Sequence, residues 1–78
     1  MAKEFEQAVV IDGPVGQVEV ATARQAYDVL SDPAWPDRGP AHEEAVETAL
    51  KVLDGHRSTV DAYDTFLRAA KEAGNLVE

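Results

Sequence analysis

The chain contains no cysteine, so neither a disulfide framework nor a thiolate metal site can hold it together. Basic residues are few: seven Lys and Arg stand against fifteen Asp and Glu, a net charge of −8. Nucleic-acid binding relies on Lys and Arg to neutralise phosphates, and these seven are scattered without a stripe, so no nucleic-acid partner and no membrane partner is expected. No apolar run approaches the roughly 20 residues that span a bilayer. The opening Met-Ala-Lys-Glu-Phe-Glu also lacks the apolar core of a signal peptide, which makes the cytoplasm the expected location. Length is the other shortage, since 78 residues support one core and no second domain.

What is present is ordinary globular composition, 45% hydrophobic and 28% charged. The β-branched run Val9-Val10-Ile11, a turn at Asp12-Gly13-Pro14 and the alternating Val18 and Val20 predict a β-hairpin over about 5–20. Its apolar face requires cover from helices or from a second copy paired across its edge. Thr22 with Gln25 three residues on reads as a capping box. It opens a helix over about 23–31 with Ala26, Val29 and Leu30 inward, which must stop before Pro33.

Three of the four prolines and the only tryptophan lie between Asp32 and Pro40, which predicts a stiff loop. Pro40 then suits the first turn of a helix over about 40–54. Ala41, Ala45, Ala49 and Val52 form its inner stripe, Val46 and Leu50 widen it, and Gly55 stops it. Ser58 with Asp61 predicts a capped third helix over about 59–73, ended by Gly74, with Leu76 and Val77 folding back on the core. The expected fold is therefore α+β in the order β-β-α-α-α, a single small domain.

Trp35-Pro36, Gly39-Pro40, Ala45, Leu53-x-Gly55, Ala62, Phe66 and Ala69-Ala70-x-Glu72-Ala73-Gly74, in that order and at these separations, resemble the small bacterial proteins grouped as domain of unknown function 982. The resemblance covers nearly the whole chain and implies the hairpin-plus-helices fold, but no activity, substrate or cofactor. Where members of that group often carry a cysteine in the second helix, this chain has Ala49, so no cysteine chemistry carries over.

The residues offer little catalytic chemistry. His42-Glu43-Glu44-Ala45-Val46 begins like a zinc-protease helix, yet Val46 stands where the second imidazole is needed and His56 falls beyond the helix. Glu43 and Glu47 share a face, as dipole-complementing acids do. Ser31 and Ser58 sit in turn or cap sequence. Asp61 and Asp64 fall in a first helical turn, where acids are expected anyway. Gly13-Pro14-Val15-Gly16 lacks the Lys-Ser/Thr of a phosphate loop. No metal, cofactor or catalytic residue is expected.

The informative segment is Trp35 to His42. Trp35 either plugs the junction of the first two helices or joins Arg38 and His42 in an exposed partner-binding surface, because Trp and Arg are enriched at binding hot spots. The expected function is a non-enzymatic protein-interaction module with an unidentified protein partner, a homodimer through the hairpin edge or helical face being one arrangement. The alternative is a small-molecule binder or minor enzyme with a pocket near Trp35, Arg38 and His42.

Overall fold

The hairpin forms because glycines flank its turn. In the computed structural model, which describes residues 4–77, strand β1 (Glu4–Gly13) pairs antiparallel with β2 (Gly16–Thr22). Val9 stands opposite Val20 and Ile11 opposite Val18. The turn is Pro14-Val15, so Asp12 and Gly13, which the sequence reading put in the turn, belong to β1. Two features place it there. Gly16 takes φ +132, which side-chain-bearing residues rarely adopt, and a Cβ at Gly13 would sit 3.0 Å from the Gly16 carbonyl oxygen. The pairing slips between Glu4 and Val9, bending the start of β1.

Thr22 ends β2 and begins α1 (Ala23–Ser31) with no linker. Its hydroxyl accepts from the Gln25 N–H at 3.0 Å, while the Gln25 Oε1 accepts from the Ala21 N–H at 2.8 Å. The reciprocal cap therefore grips one residue further upstream than in the usual box. Helix α2 (Pro40–Leu53) starts at the expected proline. Helix α3 (Thr59–Ala73) ends at Gly74 with φ 76, where the N–H groups of Gly74 and Asn75 return to the Ala70 carbonyl. Ser58 occupies the cap position of α3, but its hydroxyl makes no capping bond, contrary to the sequence reading.

The inward faces of β1 and β2 lie against the helices, with Phe66, Leu30, Val20 and Val52 as the largest fully enclosed side chains. Ala23, Ala26, Ala45, Ala49, Ala62, Ala69 and Ala70 are all buried, which lets the helix axes approach closely. Three positions in α2 depart from expectation. Leu50 is 43% exposed, whereas Thr48 and His42 are buried. Thr48 follows Ala45 and precedes Val52 on the inner stripe, while Leu50 is rotated away from it. No helix among the described residues is long and apolar enough to cross a membrane.

After Gly74 the chain returns to the hairpin, as anticipated for Leu76 and Val77. The Asp12 N–H donates to the Asn75 carbonyl at 2.8 Å and the Val77 N–H to the Val10 carbonyl at 2.9 Å. This segment occupies the outer edge of β1 at residues 10–12. Because Val10 and Asp12 turn their backbone groups outward, their opposite numbers Glu19 and Gln17 turn theirs outward on the other side.

Candidate functional site

The loop between α1 and α2 is organised by Asp32. Its carboxylate accepts from the Ala34 N–H at 2.8 Å, and its carbonyl accepts from the Trp35 N–H at 3.0 Å and from the Arg38 Nη2 at 2.6 Å. This compact turn drives Trp35 inward to 6% exposure. There the indole tilts against Phe66 at 5.8 Å between centroids and against His42 at 6.0 Å. The indole Nε1–H donates to the Asp37 carbonyl at 3.0 Å, so the polar tip is satisfied as the ring is buried.

His42 is 8% exposed, and its Nε2 lies 2.7 Å from the Leu30 carbonyl. A carbonyl only accepts, so Nε2 carries the proton and the imidazole is fastened to the end of α1. Only Arg38 of the expected trio projects to solvent. Trp35, Arg38 and His42 therefore do not form one exposed face. The first and third are the plug between α1, α2 and α3, and the guanidinium of the second closes the loop from outside.

Two residues to which sequence reasoning assigned no role complete this region. Glu72, on α3, accepts from the N–H groups of Ala41 and His42 at 3.2 and 3.3 Å, supplying the side-chain cap that Gly39 lacks. Asn75 is 7% exposed, and its Oδ1 is the one buried side-chain polar atom without a hydrogen-bond partner among the described residues. The signals for them were a helix start with no capping side chain and a polar residue directly after a helix-ending glycine.

Two hollows flank these elements. The larger, about 250 Å³, lies between β1 and the start of α3, with Glu6, Gln7, Val60 and Tyr63 in its walls. No unpaired buried polar atom belongs to it. The smaller, about 100 Å³, lies beneath the hairpin turn against Trp35 and includes Asn75 in its wall. It is the pocket near Trp35 that the sequence reading allowed for, but Arg38 and His42 do not line it. Among the described residues no three His, Asp or Glu side chains gather as metal ligands.

Titration is perturbed at the start of α3. The hydrogen bond from Arg57 Nε to Asp61, 3.0 Å long, holds the Asp61 carboxyl below its ordinary value, desolvation opposes it, and the Arg57 charge and Ser58 add to the lowering. The same hydrogen bond, first, and the Asp61 charge raise Arg57. This exposed pair serves the start of α3.

The remaining feature is the outer edge of β2. No strand among the described residues pairs with it. The hairpin from 4 to 22 carries Glu4, Glu6, Asp12 and Glu19 and no Lys or Arg.

These features define a small α+β protein in which a two-stranded hairpin is buttressed by three helices and by its own C-terminal segment. The chain belongs to the family described as protein of unknown function (DUF982), whose model matches residues 7–77. Comparison with curated proteins and with solved structures gives no match.

Proposed function

We propose that the protein is a non-enzymatic protein-interaction module of the cytoplasm that takes an extended, basic segment of a partner protein along β2. The observation that carries this reading is the open edge of β2. Gln17 and Glu19 direct their backbone donors and acceptors outward, while the C-terminal segment has filled the corresponding positions of β1. An open edge is a template for strand addition, in which main-chain hydrogen bonds supply affinity. Charge selects the partner. A hairpin with four acids and no base attracts Lys and Arg, whereas a second copy would bring another acidic hairpin against it.

A photo-reactive residue placed at Gln17, whose side chain is exposed, tests this in cells of the source organism. The expected product is a cross-link to a Lys- or Arg-bearing extended segment, absent when the same group is placed at Glu43 on α2. Cross-links only to a second copy, or equal products from both positions, contradict the reading.

A further inference from the structure

We infer that the β2 edge selects a short basic-apolar-basic sequence in its partner, with the central side chain set against Val18 and Val29, an inference that rests on the strand-addition reading above. The hairpin register decides which backbone groups are free. Val9, Ile11 and Gly13 stand opposite Val20, Val18 and Gly16, and the outward groups of Val10 and Asp12 are taken by the C-terminal segment. The outward groups of β2 therefore belong to Gln17, Glu19 and Ala21. The last of these is closed, because the Ala21 N–H donates to Gln25 Oε1 at 2.8 Å. Pairing along β2 is thus centred on Gln17 and Glu19, and Gln25 sets where it stops.

The same bond orients α1. Helix α1 follows β2 with no linker, and Gln25 and Val29, four residues apart, share one of its faces. With Gln25 reaching the β2 edge, Val29 falls one turn further back along it. Val18 and Val29 are both half-buried and line one hollow. A partner residue opposite Val18 directs its side chain to the face that Val18 occupies, where an apolar group takes the exposed remainder of both valines out of water. Its two neighbours project to the other face, beside Gln17 and Glu19. On that face Asp12 stands opposite Gln17, and no ion pair among the described residues engages Asp12 or Glu19. A basic residue opposite Glu19 makes a direct cross-strand pair with it, and one opposite Gln17 makes a diagonal pair. Faces alternate in a strand of either direction, so the pattern is the same for a parallel and an antiparallel partner.

The test titrates the full chain with acetyl-Thr-Lys-Val-Lys-Thr-amide, with the Lys-Ser-Lys peptide of equal charge and with the Glu-Val-Glu peptide, following amide resonances and hydrogen exchange. The Lys-Val-Lys peptide should protect the Gln17 and Glu19 N–H groups, whereas Ala21 should exchange slowly before any peptide is added. The other two peptides should each bind about fivefold more weakly or worse. Val29→Ser, at a half-buried side chain, should level the Lys-Val-Lys and Lys-Ser-Lys peptides. Glu19→Lys should make the Glu-Val-Glu peptide bind better than it does to the wild type. Protection of Gln17 and Glu19 with equal affinity for all three peptides, or a valine preference unchanged in Val29→Ser, overturns the sequence preference and leaves strand addition standing. No protection of either group by any peptide overturns both.

Discussion

The Glu72 carboxylate fills the space that a side chain at Gly39 would need. A Cβ at Gly39 would lie 2.8 Å from it, and the same carboxylate caps the first N–H groups of α2. Gly39 has φ −81, so its small size answers to a close approach and not to an unusual backbone. One residue of α3 thereby fixes the start of α2 and the exit of the tryptophan loop.

Glu72→Ala should cost about 1 kcal/mol, as for loss of a helix cap. Gly39→Ala should cost a similar amount by displacing the carboxylate. The double variant should cost clearly less than the two together, because both remove the same interaction. Urea unfolding of the four proteins measures this, and strict additivity would show that the two positions act separately.

Trp35→Phe keeps an aromatic ring against Phe66 but loses the bond from Nε1 to the Asp37 carbonyl. A loss of about 1 kcal/mol is expected. Trp35→Ala should cost about 3–5 kcal/mol and leave a chain of this length largely unfolded. Chemical unfolding monitored by circular dichroism distinguishes the two. A Trp35→Ala protein of ordinary stability would mean that the indole is not the plug.

The imidazole of His42 should show a protonated Nε2 by nitrogen-15 NMR, because it donates to the Leu30 carbonyl. His42→Ala should lower stability by about 1–3 kcal/mol, leaving that carbonyl without its donor. A proton found only on Nδ1 contradicts the geometry.

The Asp61 carboxyl is lowered by Arg57, so its contribution to folding is present above the ordinary carboxyl value and is lost as pH falls through the depressed one. Arg57→Ala should return the Asp61 midpoint toward the ordinary Asp value in a carbon-13 NMR titration. Because the pair is exposed, the accompanying change in stability should be small.

The elements were legible in the sequence because their signals are local. Thr22 with Gln25, Pro33, Gly39-Pro40 and Gly74 mark helix ends within a few residues, and the alternation of Val18 and Val20 marks a covered sheet face. The family was legible for the same reason, its pattern being a series of such stops and small residues. The candidate site was less so. Trp35 and His42 are buried by a loop folded around Asp32, and the cap on α2 comes from α3. The free acceptor of Asn75 exists only because the C-terminal segment docks on β1. The Glu72 cap and the C-terminal docking join residues far apart in the chain, where neither periodicity nor capping rules reach. Ser58 shows the converse, a local cap signal whose hydroxyl makes no capping bond.

The open edge of β2 is tested most directly by capturing partners from a lysate of the source organism with wild-type protein, Glu19→Pro and Glu19→Lys, each shown to be folded by its Trp35 emission. Proline at position 19 removes an outward N–H while sparing the ladder to β1, and lysine reverses the edge charge. The account predicts a protein recovered by the wild type in a salt-sensitive manner, bound through a basic extended segment and lost with both variants. Recovery of the same protein by all three would contradict it.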